Sequence, residues 1–285
     1  MGAVVVWSTV ATAFKLALRT LDTYQLLLVA TVVSLITLTG VLAWRRQLGD
    51  LAATSASDRW RALALGAINP FVYYLVLFAA YDRLPAQVAQ PINYTWALTL
   101  SWLSIPLLGQ KLRPRDLIAG LICYAGVVLI ATGGDVSGFQ IADPLGVGLA
   151  LLSTVFWALF WIANTRSRLD PVVGLWWNFA GALPLIVITT AVMSDLCLPL
   201  AGIMAGSYVG AFEMGFTFVM WLTAMKLATI TARVANLIFL SPFLSLVLIH
   251  FVLGEHIRGA TFGGLVLIVG GLFWQQSGSR QRTII

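Results

Sequence analysis

Long apolar runs separated by short polar segments make up most of the sequence, and Gly, Pro and charged residues mark the breaks. A helix needs about 20 predominantly apolar residues to cross a bilayer core about 30 Å thick. The runs are too long for strands and do not alternate, and lipid cannot satisfy an open sheet edge. The pattern therefore predicts an all-α integral membrane protein with ten transmembrane helices, at residues 2–18, 24–44, 62–81, 85–108, 117–132, 144–165, 171–193, 202–226, 230–253 and 260–275.

The composition agrees with this pattern and excludes several classes of protein. Of the 285 residues, 60% are hydrophobic and 10% are charged, whereas a soluble domain usually carries about 25% charged residues. So few charges exclude a soluble enzyme, a disordered protein and a nucleic-acid reader. Cys123 and Cys197 have no metal-ligand spacing. We expect no cofactor, no metal, no nucleic-acid partner and no obligate protein partner; the expected partners are the lipid bilayer and a small molecule.

The net charge of +6 reflects a difference between the two sides of the membrane. With ten spans, 13 of the 17 Lys and Arg residues fall at one set of helix ends and four at the other. Because cytoplasmic loops are enriched in Lys and Arg, the larger set predicts that both termini are cytoplasmic. The larger set is Arg45, Arg46, Arg59, Arg61, Lys111, Arg113, Arg115, Arg166, Arg168, Lys226, Arg233, Arg280 and Arg282, and the smaller set is Lys15, Arg19, Arg83 and Arg258.

The two halves of the chain resemble one another. Gly109-Gln110-Lys111 corresponds to Gly254-Glu255-His256, and Ser8-Thr9 corresponds to Ser153-Thr154, both at an offset of 145 residues. We therefore expect one transmembrane domain over 1–285, with a first repeat at about 1–135 and a second at about 143–277. Each repeat has five spans, an odd number, so the second crosses the membrane in the opposite direction.

Inverted repeats are typical of secondary transporters, whose substrate sites lie near the bilayer midplane between the repeats. Polar side chains in the middle of a span face a cavity or another helix, and several spans carry polar or aromatic residues at helical spacing. Helix packing is the alternative interpretation of an aromatic stripe. The candidate substrate-binding residues are Trp7, Tyr73, Tyr74, Gln90, Asn93, Tyr94, Trp96, Trp157, Trp161 and Asn164.

The third run has an aromatic face, which we expect to consist of Phe71, Tyr74, Phe78 and Tyr81, with Tyr73 on its flank. A cavity with such walls suits a substrate that has an apolar or aromatic body and a few polar groups. Basic residues are absent from the middle of the runs. Carriers of phosphorylated sugars would place Lys or Arg there to bind the phosphate, so the sequence argues against such substrates.

Glu213 is the acidic residue in the middle of a run, on a face with Gly206, Gly210 and Thr217. The spacing of the two glycines is typical of closely packed helices. Three interpretations stay open: the carboxyl couples transport to protons, it contacts an ammonium group, or it is a protonated or hydrogen-bonded structural group.

Several motifs resemble those of a known family over essentially the whole chain. Trp7-Ser8-Thr9, Gly254-Glu255 after the ninth run and the five-plus-five repeat resemble the EamA-type carriers of the drug/metabolite transporter superfamily. Within that family, Asn93-Tyr94-Thr95-Trp96, Gly109-Gln110-Lys111 and Gly133-Gly134-Asp135 resemble the YddG-type aromatic amino-acid exporters.

The resemblance implies export of aromatic and other apolar amino acids from the cytoplasm across a bacterial inner membrane. It also implies a basket of ten helices with a central cavity, lined by spans 1, 3, 4, 6, 8 and 9. In this hypothesis Gln90, Asn93 and Asn164 hold the polar ends of the substrate, and the Tyr and Trp residues hold its side chain.

Three other functions compete with an amino-acid exporter. A multidrug or other small-metabolite exporter of the same superfamily is the nearest alternative. An intramembrane enzyme needs a buried nucleophile–base pair or a metal cluster, but the chain has two His residues, both near a run end. A channel would need a continuous polar pore. The expected function is therefore alternating-access transport rather than catalysis.

Overall fold

The computed structural model of the protein describes residues 2–108, 114–135, 141, 143–165, 167–221 and 241–277. Within these ranges the chain is helical and contains no strand. The helices are α1 (Gly2–Ala17), α2 (Thr23–Trp44), α3 (Leu48–Ala53), α4 (Ala56–Gly66), α5 (Tyr73–Arg83), α6 (Ala86–Asn93), α7 (Trp96–Leu108), α8 (Pro114–Ala131), α9 (Pro144–Thr165), α10 (Pro171–Met193), α11 (Leu200–Tyr208), α12 (Ser241–Leu253) and α13 (Gly259–Ser277).

Five helical stretches of the described chain are long and apolar enough to cross a membrane, judged by length and composition. They are Thr23–Trp44, Ala56–Arg83, Pro144–Asn164, Pro171–Met193 and Leu200–Trp221. Four shorter apolar helices accompany them, at Gly2–Ala17, Leu117–Ala131, Ser241–Leu253 and Gly259–Gln275. Parts of the predicted eighth and ninth runs, at 222–240, and the Gly109-Gln110-Lys111 motif lie outside the described residues.

The predicted fourth run is not one continuous helix, because the chain leaves the helix between α6 and α7. At the interruption Thr95 N donates to the Ile92 carbonyl at 3.1 Å, and the Thr95 hydroxyl donates to the same carbonyl at 2.8 Å. The third run also differs, since its helical stretch begins at Ala56 rather than at residue 62.

Two helical stretches each contain a segment with π-helical hydrogen bonds, which we call the first and second π-helical turns, and the first of them is broken by a kink at Asn69. Ala67–Val72 joins α4 to α5, and Val209–Phe216 continues from α11. Asn69, inside the first turn, has the non-helical angles φ −145° and ψ 122° and is followed by Pro70. A π-helical turn adds a residue to the helix, so side chains after it point in directions that a regular helix would not give.

Acidic side chains fix where several helices begin. Asp22 accepts from the backbone N–H groups of Tyr24 and Gln25 at 2.8 and 2.9 Å, and Gln25 accepts from Asp22 N in return. Asp170 caps α10 by accepting from Val172 N at 2.9 Å. The Asp143 carboxylate accepts from Gly146 N at 2.8 Å, and this hydrogen bond, with Arg83 beside it, holds the pKa of Asp143 below its usual value. Such caps satisfy N–H groups that a helix leaves unpaired.

The helices pack in pairs that surround a common core. The main pairs are α8 with α13, α1 with α12, α2 with α10, α4 with α10, α7 with α9, and α5 with α9, while the second π-helical turn packs on α2. Phe14, Tyr74, Phe78, Phe160 and Phe218 are almost completely buried at the centre. Large apolar side chains also cover the outside, where Trp44 is 83% exposed and Phe251 is 79% exposed. Apolar surface of this extent requires an apolar environment.

Close contact between α8 and α13 depends on small residues. A Cβ atom added to Gly264 would lie 2.6 Å from the Gly126 carbonyl oxygen and 2.5 Å from the Ile130 side chain. Gly270, on the same helix, has no atom within 4 Å of such a position. The two helices can therefore approach this closely only while residue 264 lacks a side chain.

We expect Gly264→Ala to lower stability and Gly270→Ala, the matched control on the same helix, to leave it nearly unchanged. Forcing a methyl group against backbone costs about 1–3 kcal/mol. Thermal unfolding of the purified protein in detergent measures the difference. Equal unfolding temperatures for the two variants would contradict the packing described for α8 and α13.

Candidate functional site

A cavity lies in the centre of the helices, between α1, α5, α6, α7, α9 and the second π-helical turn. Its volume is about 60 Å³. The lining residues are Trp7, Val10, Phe14, Tyr73, Leu77, Tyr81, Gln90, Asn93, Tyr94, Trp96, Trp157 and Glu213. The cavity is therefore narrow, mainly aromatic, and polar at a few positions.

Trp157 on α9 is the centre of the aromatic wall. Its ring centroid is 4.7 Å from that of Tyr73 and 6.3 Å from that of Trp96. Phe218 contacts it from another side at 5.5 Å. These spacings lie in the range at which aromatic pairs attract one another. A flat, apolar substrate group could contact the same ring faces.

Side-chain hydrogen bonds hold the polar positions of the wall. Asn93 donates to the Ser153 hydroxyl at 2.8 Å, which joins α6 to α9. Tyr94 donates to the Ser241 hydroxyl at 2.9 Å, which joins the end of α6 to α12. The Gln90 side-chain oxygen is buried and has no partner within the described residues. Two polar groups of the wall are thus fixed, and one acceptor is left for a bound molecule.

Glu213 lies inside the second π-helical turn and lines the cavity. Only 7% of its surface is exposed. Tyr74 donates to its Oε1 atom at 3.2 Å, and Trp7 also interacts with the carboxyl group. The Oε2 atom is buried and has no partner within the described residues. The carboxyl group is therefore held in place with one oxygen free.

Seven of the ten predicted substrate-binding residues line this cavity, together with Glu213. Tyr74 does not: it is fully buried behind the wall and bonds to Glu213. Trp161 and Asn164 line a second cavity with Phe160 and Phe218, further along α9. Asn164 is seven residues beyond Trp157, about 10 Å along a helix axis, so it shares a helix face with the wall but lies at another depth.

Val10, Phe14 and Leu77 line the cavity but were not predicted from the sequence. The predicted aromatic face of the third run also differs from the face that lines the cavity. The cavity-facing positions of α5 are Tyr73, Leu77 and Tyr81, at spacings of four residues, rather than the face with Tyr74 and Phe78. A helical projection of α5 that started from Tyr73 would have found this set. The apolar members carry no polar signal, so composition alone could not separate them from packing residues.

The two ends of the structure differ in the polar groups that close them. At one end the Glu255 carboxylate accepts from Ala86 N at 2.9 Å and Gln87 N at 3.2 Å, which caps α6. At the same end Lys15 donates to the carbonyl groups of Tyr81 and Leu84. At the other end of α9, a third cavity is lined by residues that include Asp58, Arg61, Asn164 and Arg168.

Comparison with known proteins gives a family match over nearly the whole chain. Residues 1–132 and 144–275 match the EamA-like transporter family. PecM of Dickeya dadantii is 26% identical over 220 residues, which are 75% of this chain and 72% of PecM. An uncharacterized transporter of Archaeoglobus fulgidus is 24% identical over 274 residues, 93% of this chain and 92% of that protein.

Two further comparisons concern a named exporter and a solved structure. The aromatic amino acid exporter YddG of Ancylobacter novellus is 26% identical over 223 residues, 74% of this chain and 74% of that protein. A crystal structure with 22% sequence identity aligns over 99% of this chain and 96% of its own, with a TM-score of 0.71. That similarity shows a shared fold.

Proposed function

The chain belongs to the EamA-like transporter family, and on that premise we propose that it is an alternating-access exporter of aromatic and other apolar amino acids. The family consists of transporters, so the chain is a multi-pass membrane protein and not an enzyme. The observation that carries the substrate proposal is the central cavity, where aromatic walls surround a few fixed polar groups. Similarity to an exporter named for aromatic amino acids supports it.

We propose ten spans arranged as two inverted repeats, and corresponding helix packing supports this. At an offset of 145 residues, α1 corresponds to α9 and the described part of α12 corresponds to α7. The packing pairs correspond accordingly: α1 packs on α12, and α9 packs on α7. Two segments of equal length, 1–132 and 144–275, match the same family.

The contact between α8 and α13 has the form that a two-fold relation between repeats would give. Gly126 lies against Gly264, and Gly271 lies against Ala119. Gly126 and Gly271 are 145 residues apart, as are Ala119 and Gly264. One contact therefore becomes the other when the repeats are exchanged, as in an isologous interface.

The two π-helical turns support the same relation, because each carries a buried polar residue at a matching position. Asn69 in the first turn and Glu213 in the second are 144 residues apart, as are Gly66 and Gly210. Asn69 and Glu213 are both buried, and each has an oxygen without a partner in the described chain. π-helical turns are frequent at functional sites, and two in matching positions fit a transport site between the repeats.

In this proposal different wall residues contact different parts of the substrate. Tyr73, Trp96 and Trp157 contact the apolar side chain, while Gln90 and Asn93 hydrogen-bond the polar end. Trp161 and Asn164, in the second cavity, contact the substrate on its way to or from the central cavity, and Tyr74 acts through Glu213. The central cavity is too small for an amino acid in this conformation. The residues that line it must therefore move apart when substrate enters.

We place the protein in a bacterial inner membrane with both termini in the cytoplasm. Arg61 and Arg168 line one cavity at the end that the basic residues predict to be cytoplasmic. Asp82 and Glu255 line a small cavity with Lys15 and Arg19 at the opposite end, whereas Asp58 is the acidic residue beside Arg61 and Arg168. The excess of basic residues at the first end agrees with the orientation given by the enrichment of Lys and Arg in cytoplasmic loops.

A multidrug or other small-metabolite exporter is the second candidate. Glu213 favours a multidrug exporter, because a free carboxyl oxygen beside aromatic rings can also bind organic cations. The same carboxyl group is our candidate for coupling to protons. If it couples transport, Glu213→Gln abolishes stimulation by a pH gradient while exchange at saturating amino acid continues. An unchanged response to the pH gradient would exclude this role.

Counterflow in liposomes tests the proposed function. Purified protein is reconstituted with phenylalanine inside, and uptake of labelled phenylalanine, tryptophan, methionine, threonine and glycine is measured. We expect uptake to be faster for phenylalanine and tryptophan than for glycine, because the wall offers aromatic contacts that glycine cannot make. Flux of a cationic drug without flux of any amino acid would favour the second candidate instead.

Truncation of the central Trp tests whether the wall recognises the substrate side chain. We expect Trp157→Ala to reduce counterflow of phenylalanine and tryptophan about tenfold or more, the equivalent of losing one aromatic contact of about 1.5 kcal/mol. Threonine counterflow should fall less. Trp44→Ala, on the exposed outer surface, is the matched control and should change neither. An equal loss for all substrates would indicate a folding defect rather than recognition.

A further inference from the structure

The central cavity has one acidic side chain and no basic side chain among the described residues that line it. Glu213 is the one lining residue with a carboxyl group, and none of the lining residues is Lys, Arg or His. Lys15 lies on α1 but is bound to the carbonyl groups of Tyr81 and Leu84 and lines a different cavity. Within the described chain, the recorded ion pair is Arg83 with Asp143, away from the cavity.

The Glu213 carboxyl group is built into the wall in a fixed orientation. It is 93% buried, its Oε1 atom accepts from Tyr74, and its Oε2 atom has no partner in the described chain. Burial of an unpartnered acceptor is costly, so the arrangement is that of a site awaiting a hydrogen-bond donor. The ionisable side chains that surround it are Tyr73, Tyr74, Tyr81 and Tyr94.

The polar atoms of the wall that lack partners are mainly acceptors, so the wall favours a ligand that donates hydrogen bonds. Glu213 Oε2 and Gln90 Oε1 are buried acceptors without partners in the described chain. Trp157 Nε1 is a buried donor of the wall that also lacks a partner in the described chain. The amide nitrogen of Asn93 is already bound to Ser153. A ligand that brings several N–H groups therefore fits this wall better than a ligand that brings carboxylate oxygens.

The aromatic part of the wall adds an attraction for positive charge. Trp7, Tyr73, Trp96 and Trp157 all line the same narrow space as Glu213. The faces of such rings attract a cation within about 6 Å of the ring centroid. The cavity thus combines a carboxylate, free acceptors and aromatic faces, and each of these binds an ammonium group.

We propose that Glu213 binds the ammonium group of the substrate and that the cavity also accepts aromatic primary amines that have no carboxylate. The proposal rests on the proposed function in one respect, namely that this cavity is the transport site. An amine such as phenethylamine places its ammonium group at Glu213 Oε2 and its ring against Tyr73 and Trp157. The matching acid, 3-phenylpropionate, brings a second negative charge to the same place and is excluded.

A series of ligands that differ only in their charged group tests the proposal. Phenethylamine, phenylalanine and 3-phenylpropionate are titrated into the detergent-purified protein by calorimetry, together with the permanently charged trimethyl derivative of phenethylamine. We expect phenethylamine to bind at least about tenfold more tightly than 3-phenylpropionate, because one charge-assisted hydrogen bond is gained and one repulsion avoided. The trimethyl derivative should retain binding through its charge. Equal affinities for the amine and the acid would overturn the proposal.

Neutralisation of the carboxyl group gives the second test. Glu213→Gln should weaken phenethylamine binding about tenfold or more, since an amide accepts a hydrogen bond without attracting the ammonium charge. Asp50→Asn is the control, because it also removes one acidic charge but lies exposed on α3, outside the cavity. Unchanged amine affinity in Glu213→Gln would overturn the proposal. If this variant does not fold, the ligand series on the unaltered protein still tests the proposal.

The same experiments separate this proposal from the proposed function. Counterflow of phenylalanine without measurable phenethylamine binding would leave the amino-acid exporter standing and remove the amine site. Tight amine binding that depends on Glu213, without counterflow of any amino acid, would support the amine site and exclude the amino-acid exporter. Binding of the amine and counterflow of phenylalanine, both weakened by Trp157→Ala, would support one shared cavity.

Discussion

Polar groups inside an apolar membrane protein must be satisfied by the protein itself, and the arrangement of the cavity depends on this constraint. Asn93 bonds to Ser153, Tyr94 bonds to Ser241, and Tyr74 bonds to Glu213. Each bond joins two different helices and fixes a side chain in or next to the wall. Gln90 and Glu213 each present a buried acceptor without a partner in the described chain, and both line the cavity. These two acceptors are available to a bound molecule.

Close packing between small residues complements this polar arrangement. Gly126 and Gly264 allow α8 and α13 to meet backbone to backbone, away from the cavity. The helices that line the cavity instead meet through large aromatic side chains, and two of their stretches contain π-helical turns. A tightly packed pair beside less regular helices is an arrangement in which the proposed opening of the cavity could occur without disrupting the whole structure.

The sequence predicted the all-helical character of the described chain and its long apolar helices correctly, because apolar runs and their breaks depend on local chemistry. It did not predict the interruption at Tyr94 and Thr95, where the Thr95 hydroxyl donates to the Ile92 carbonyl. For the site, periodicity identified most of the wall, including Tyr73, Gln90 and Trp157. It could not place Asn164, since helical spacing gives the face of a helix but not the depth of a cavity. Apolar wall residues such as Leu77 carry no signal that distinguishes them from the core.

The central claim is that one cavity opens alternately to both faces of the membrane and binds substrate there. Its most direct test is a cysteine at Leu77, which lines the cavity, in a protein whose Cys123 and Cys197 are replaced by alanine. The rate of modification by a membrane-impermeant methanethiosulfonate is measured in vesicles of both orientations. We predict modification from either face, slowed in both cases by saturating phenylalanine. Modification from one face only, or no protection by phenylalanine, would contradict the claim.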